Sequence, residues 1–316
     1  MVNQFDYLSK RVEYSPNDEV LVDTGTNARY TYKQLNDKAN QIANYFQDKF
    51  SFSKGDRVAV IAFSTGKYWE VIFGTQKCGG ILVGLNFRLA PVELKKMLED
   101  TQPKIVFYDQ NTENLVNQIK ELYKDTVYQI FNESYDKILD SYPINPPNTP
   151  KLTYEDPIGI VYTGGTTGLP KGAMISYRQV AFNTLNTIRD ILPGDTYINH
   201  LPLFHVGGVY VYAIPLVIVG GKVIQMPVWD PEKYLDLTTN EKPNFGFCVP
   251  TQYRMLMNSS KFETTDFRSL RFLTSGGEPL SLDIIRTFRE KHGIVFKQGF
   301  GIHSSRPWGL GAWGVQ

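Results

Sequence analysis

The chain has 316 residues, enough for one large domain or two of ordinary size. It is 42% hydrophobic and 13% aromatic, which suits a well-cored globular protein. Lys and Arg number 33 against 32 Asp and Glu, a balance that argues against a nucleic-acid footprint or a strongly charged membrane-binding surface.

The N-terminal stretch MVNQFDYLSKRVEYSPNDE lacks an apolar core and does not read as a signal peptide. Thr31 and Gln34 offer a capping box, and Leu35, Ala39, Ile42, Ala43 and Phe46 follow at helical spacing. Residues 57–63 read as a strand, 68–78 as a helix, 81–85 as a strand, 92–100 as a helix and 104–108 as a strand. This alternation of apolar strands and helices predicts an α/β fold with a mainly parallel sheet covered on both faces. YPINPPNTP, at 142–150, can continue neither a helix nor a central strand and reads as a linker between two subdomains. Beyond it, strands are expected at 158–162, 196–200, 222–226, 245–249, 271–274 and 294–297. Helices are expected at 177–192, 209–219, 231–240, 252–258 and 282–292.

Residues 199–221 carry no Asp, Glu, Lys or Arg and are long enough to span a bilayer. Pro202, Pro215, His200, His205 and glycines 207, 208, 220 and 221 interrupt the run, so a buried strand, turn and helix is the better reading. No transmembrane segment and no nucleic-acid partner are expected. Cys78 and Cys248 sit in apolar contexts and read as buried thiols rather than a disulfide, which suits a reducing, cytoplasmic setting. Neither CxxC nor HExxH occurs, so a dedicated zinc site is not expected.

Four stretches at predicted strand ends could carry chemistry. YTGGTTGLPKG (162–172) combines backbone freedom, threonine hydroxyls and one lysine, a set of donors suited to phosphates. It lacks the GxxxxGK[ST] order of the common phosphate loop, and a ligand-free surface loop is the plain alternative. Ser176 and Gln179 could cap the helix that follows. In HLPLFHVGG (200–208), His205 is either a satisfied core histidine or an aromatic gate beside a tunnel for an apolar substrate. TSGGEPLS (274–281) is either a tight strand–helix turn, with Ser281 capping the helix, or a flat platform of adjacent glycines. In QGFGI (298–302), Phe300 could stack on a purine or be an ordinary buried aromatic. Together these stretches suggest one convergent site.

In that order and spacing, the stretches resemble the motifs of the adenylate-forming superfamily: acyl-CoA synthetases, peptide-synthetase adenylation domains and luciferases. The likeness runs over about residues 1–302. Gly164 stands where a Ser is usual. The stretch 230–256, DPEKYLDLTTNEKPNFGFCVPTQYRML, is most similar to fatty-acyl and related acyl-CoA ligases. The resemblance implies two stacked α/β subdomains of a large N-terminal domain, at 1–150 and 151–302. It implies activation of a carboxylic acid by ATP to acyl-AMP, then transfer to coenzyme A, with Mg²⁺ bridging phosphates.

Carried over by position, Thr163, Gly164, Gly165, Thr166, Thr167, Gly168 and Lys171 would hold the phosphates. Lys171 and Thr166 would act in catalysis, with Thr166 also near the metal. Gly276, Gly277, Glu278 and Pro279 would border the adenine, and Gln298, Gly299, Phe300 and Gly301 would close its other side, Phe300 replacing a usual Tyr. His205, with a catalytic part, Val206, Gly207 and Gly208 would flank the acyl group. A homodimer is a further expectation.

The family pattern then continues through a hydrophobic residue, Thr and Glu, where this sequence has Ile302, His303 and Ser304. Residues 303–316 look unlike the family and show no strand or helix period. A truncated or frameshifted product without the C-terminal catalytic lid is therefore expected, binding nucleotide weakly and turning over poorly. Two other readings stay open: a non-catalytic nucleotide- or acyl-binding remnant, and an adenylation domain serving a carrier protein.

Overall fold

Asp6 opens the first helix, α1 (Tyr7–Val12), by accepting the Ser9 amide at 3.1 Å. The computed structural model describes residues 4–163, 171–301 and 310–315, with 300–301 and 310–315 described by backbone alone. A hairpin follows, β1 (Glu19–Asp23) and β2 (Ala28–Thr31). It feeds α2 (Tyr32–Phe50) through the expected capping box: the Gln34 amide donates to Thr31 Oγ1 at 3.2 Å, and the Thr31 amide to Gln34 Oε1 at 2.8 Å. The predicted alternation is then present as β3 (Arg57–Ile61), α3 (Gly66–Lys77), β4 (Ile81–Gly84), α4 (Pro91–Thr101) and β5 (Ile105–Tyr108). Three elements not singled out from the sequence come next: α5 (Glu113–Leu122), β6 (Val127–Ile130) and α6 (Glu133–Asp140).

The second half contains β7 (Pro157–Thr163), β8 (Lys171–Ser176), α7 (Tyr177–Thr187) and β9 (Thr196–Asn199). A π-helical turn (Gly207–Val211), α8 (Ala213–Val219), β10 (Lys222–Gln225), α9 (Pro231–Glu241), β11 (Phe245–Cys248) and α10 (Pro250–Met257) follow. The series ends with β12 (Phe272–Gly276), α11 (Leu282–His292), β13 (Phe296–Gly301) and β14 (Leu310–Val315).

The strands form an eight-stranded sheet, β14-β13-β12-β11-β9-β10-β1-β2, and a six-stranded sheet, β6-β5-β3-β4-β7-β8. All neighbours are parallel except β1/β2, β13/β14 and β7/β8, each at a sheet edge. The fold is therefore α/β with mainly parallel sheets, as the alternation and the resemblance imply. The sheets interleave the two halves of the chain. β1 and β2 join the larger sheet through Leu21↔Val223, whereas β7 joins the smaller one through Leu82↔Gly159.

Four local expectations differ from what is observed. The stretch 142–150 connects α6 to β7 within one sheet instead of linking two. Side-chain amides of α2 hold it: Asn40 donates to the Ile144 carbonyl at 2.8 Å, Asn44 to Pro143 at 2.9 Å and Gln47 to Asn148 at 2.6 Å. Prolines leave carbonyls without matching donors, and the amides supply them. The helix expected over 177–192 stops at Thr187, whose carbonyl accepts from the Asp190 amide at 2.9 Å and the Ile191 amide at 3.1 Å in a following turn. The helix expected over 209–219 is split at Tyr212, because Pro215 has no amide to bond the carbonyl of residue 211 and fits only in a first turn. Finally, the segment expected to lack a strand pattern contains β14, which pairs with β13 through backbone groups that leave no side-chain period to read.

Candidate active site

β9 connects to β10 on one side of the larger sheet, while β11 connects to β12 on the other. The carboxyl ends of β9 and β11 therefore flank a switch point, where open α/β sheets form a ligand crevice. Two of the four singled-out stretches leave strands at this edge, and residues 298–301 of a third form the end of β13.

The 200–208 segment follows β9 and is anchored at several points. The Leu203 amide donates to Ser64 Oγ at 3.0 Å, the His205 amide to the Pro202 carbonyl at 3.0 Å, and the Gly208 amide to the His205 carbonyl at 3.0 Å. Asn199 Nδ2 donates to the Gly208 carbonyl at 2.8 Å. His205 is exposed, not a core histidine, and its Nδ1 faces the Gly207 amide at 3.4 Å. Val206, Gly207 and Gly208 are buried. Gly208 is required by close approach: a Cβ there would lie 2.2 Å from the Pro202 carbonyl oxygen.

His200 is the buried imidazole of this segment, although sequence pattern singles out His205. Its Nε2 lies 3.0 Å from Gln252 Oε1, and its ring centre lies 4.6 Å from that of Trp229 and edge-on to Tyr234 at 5.3 Å. Burial pushes its pKa down to about 4, so the ring is neutral at pH 7. It opens the HLPLFHVGG stretch, but nothing there marks it above His205; its further signal is its place one residue beyond a strand.

β12 carries Gly276 and Gly277 out of the sheet, the latter at φ +88°, a conformation that favours glycine. The strand end is fixed from below, where Tyr253 Oη donates to the Thr274 carbonyl at 2.6 Å. Gly276 is in register with Gly299 on β13, and Gln298 Nε2 lies 3.5 Å from the Glu278 carbonyl. The structure thus brings Gly276, Gly277 and Glu278 beside Gln298 and Gly299. Glu278 and Pro279 are exposed. Ser281 heads α11, but its side chain makes no cap bond to that helix; Ser281 Oγ instead accepts from Arg254 Nη2 at 3.0 Å.

Phe247 was not singled out by sequence and joins two of these stretches. Its ring lies 3.2 Å from where a Cβ on Gly276 would be and 3.8 Å from the same point on Gly207. The smaller sheet reaches the same edge: a Cβ on Gly84, at the end of β4, would lie 2.6 Å from Phe204 Cα. β7 runs beside β4, with Val161 opposite Gly84, and ends at Thr163.

Thr163 pairs with Lys171 across the β7–β8 hairpin, and Lys171 is exposed. The glycine-rich stretch therefore stands in the chain between two antiparallel strands, β7 and β8. It does not lead straight into a helix; the helix capped by Ser176 and Gln179 comes only after β8. Gly164, Gly165, Thr166, Thr167 and Gly168 lie outside the described residues, as do His303, Ser304 and the side chain of Phe300; Gly301 ends β13. Among the described residues no group of three or more His, Cys, Asp or Glu is placed to hold a metal. No helix among them is long and apolar enough to cross a membrane.

The family described as AMP-binding enzyme matches residues 8–305. A feruloyl-CoA synthase from an Amycolatopsis species is 28% identical over 300 residues, covering 94% of this chain and 59% of that protein. The long-chain-fatty-acid–CoA ligase FadD13 of Mycobacterium tuberculosis is 29% identical over 304 residues, with the same coverage of 94% and 59%. The chain therefore spans about three-fifths of the length of these relatives. An inhibitor-bound N-terminal domain of FACL13 from M. tuberculosis superposes with a TM-score of 0.89 at 27% identity, covering 96% of this chain and 76% of that domain. With a family match over nearly its whole length, the chain belongs to the AMP-binding enzyme family.

Proposed function

We propose that the protein binds ATP and a carboxylic acid with an apolar tail, a fatty acid foremost, and joins them as acyl-AMP for transfer to coenzyme A. The single observation carrying this reading is Phe247, whose ring lies between Gly207 and Gly276 and so makes one floor for an acyl segment and a nucleotide segment. Attack of a carboxylate on a triphosphate needs negative charge neutralised and the two groups held in line. In this reading Thr163, Thr166, Thr167 and the Lys171 ammonium cradle the departing pyrophosphate. Gly276, Gly277, Glu278 and Pro279 border the adenine opposite Gln298, Gly299, Phe300 and Gly301. His205 and Val206 flank the carboxylate, and Gly207 and Gly208 let the chain pass close to backbone. Mg²⁺ would rest on phosphate oxygens and Thr166. The described residues offer no carboxylate cluster for it, so no step is assigned to the metal. With Ser304 where the resemblance implies a carboxylate, slow turnover is part of the proposal.

Pyrophosphate release tests it. Mg·ATP and a panel of aliphatic and aromatic acids are supplied, with coenzyme A or a carrier protein added in separate arms. Acid-dependent release supports activation. Release only with aromatic acids sinks the fatty-acid assignment, and stimulation by the carrier alone moves the acceptor. Failure of ATP, AMP and an acyl-sulfamoyl-adenosine to bind leaves a non-catalytic remnant.

A further inference from the structure

We infer that Asn199, backed by Gln225 and Trp69, is the positioning group that sets where the 205–208 segment presents its backbone to the acyl end of the substrate, an inference that rests on the acid-activation reading above. Asn199 and Gln225 are fully buried and Trp69 nearly so. Burying amide side chains is costly unless their polar atoms are bonded. Here the bonds form one relay directed at the segment. Trp69 Nε1 donates to Gln225 Oε1 at 2.9 Å, Asn199 Nδ2 donates to the same oxygen at 2.9 Å, and Asn199 Nδ2 donates again to the Gly208 carbonyl at 2.8 Å.

The relay has one possible orientation. Gln225 Nε2 spends its hydrogens on the carbonyls of Asn199 at 3.1 Å and Met226 at 2.9 Å, so its oxygen must face the two incoming donors. Both neighbours of Asn199 Nδ2 are oxygens, so turning that amide over would set oxygen against oxygen. Asn199 Oδ1 meanwhile has no partner among the described residues. A residue serving only to fill the sheet edge would be better as an apolar side chain than as an amide with an orphaned acceptor. What Asn199 supplies is the donor that fixes Gly208. That carbonyl belongs to the π-helical turn, a geometry common at functional sites, and the Gly208 amide is tied to His205 at 3.0 Å. Holding both polar groups of Gly208 fixes the peptides on either side of it, next to Gly207, whose Cβ position lies 3.8 Å from the Phe247 ring.

The test uses the full chain with Asn199→Leu, which keeps the branched side-chain skeleton and removes the donor, and Trp69→Phe, which keeps an aromatic ring and removes the far donor of the relay. Kd is measured for AMP and for an acyl-sulfamoyl-adenosine, and amide exchange is followed at 207–211. For Asn199→Leu we expect the acyl mimic to weaken by about 10-fold or more, AMP to change by less than about 2-fold, and exchange at 207–211 to rise about 10-fold while β9 and β10 stay protected. Trp69→Phe shifts each in the same direction by less, and carries the test if Asn199→Leu does not fold. Equal weakening of both ligands, or unchanged exchange at 207–211, overturns the inference. Should wild type bind neither ligand, the acid-activation reading fails and the substrate role of Asn199 with it. The exchange data then still show whether Asn199 anchors the segment.

Discussion

At the scale of single residues, the site depends on groups that leave little room for change. Gly208 is the clearest. Alanine there would place Cβ 2.2 Å from a backbone oxygen, which cannot move aside as a flexible side chain would. Gly208→Ala is expected to cost about 1–3 kcal/mol by overpacking, read as a lower urea midpoint with unchanged m-value. His200 gives a pH signature. Its folded pKa is about 4 against an ordinary 6.5, so below pH 6.5 the unfolded chain takes up the proton first. Stability present above that pH falls as the pH drops towards 4, by on the order of 3 kcal/mol. His200→Asn should remove this component, seen as a flatter urea midpoint between pH 7 and pH 4.5; an unchanged slope would refute the assignment. In the proposed reading, Lys171 acts on the departing pyrophosphate. Lys171→Ala is expected to slow pyrophosphate release by about 10²-fold or more with little change in melting temperature. Sequence reading singles out Lys171 and Gly208 as candidates because glycine-rich motifs are local. It misses Asn199, Gln225, His200 and Phe247, whose meaning comes from partners distant in the chain.

At the scale of elements, caps and prolines were the most legible marks. Thr31 with Gln34 and Ser176 with Gln179 form reciprocal boxes as their spacing implies. Ser176→Ala should lower stability by about 1 kcal/mol through the unpaired Gln179 amide, measured by denaturant titration. Strand–helix alternation is legible where both faces of a strand are buried, as in β3, β4 and β5, whose residues are nearly all apolar. β8 and β14 were not legible. They are edge strands held by backbone pairing to β7 and β13, and neither KGAMIS nor LGAWGV alternates apolar with polar residues. Proline is legible as a breaker, but what holds the proline-rich stretch in place is not. In 142–150 the carbonyls are satisfied by amides of α2, more than ninety residues earlier in the chain.

At the scale of the molecule, the two sheets are not consecutive pieces of chain. β1 needs β10 as its parallel neighbour, and β4 needs β7. Chain 1–150 on its own should therefore lack a cooperative transition, and the 316-residue chain should show coincident unfolding by far-UV dichroism and tryptophan fluorescence. Two separate transitions would contradict this. The same interleaving governs synthesis. The hairpin at 19–31 leaves the ribosome long before its neighbour at 222–225 has been translated. At about 5–20 residues per second that delay is roughly 10–40 seconds. During it, Val20, Leu21 and Val22 have no sheet to enter. The nascent polypeptide thus offers chaperones an apolar handle for most of its elongation, and yield in a cell should respond to translation speed across codons 32–221.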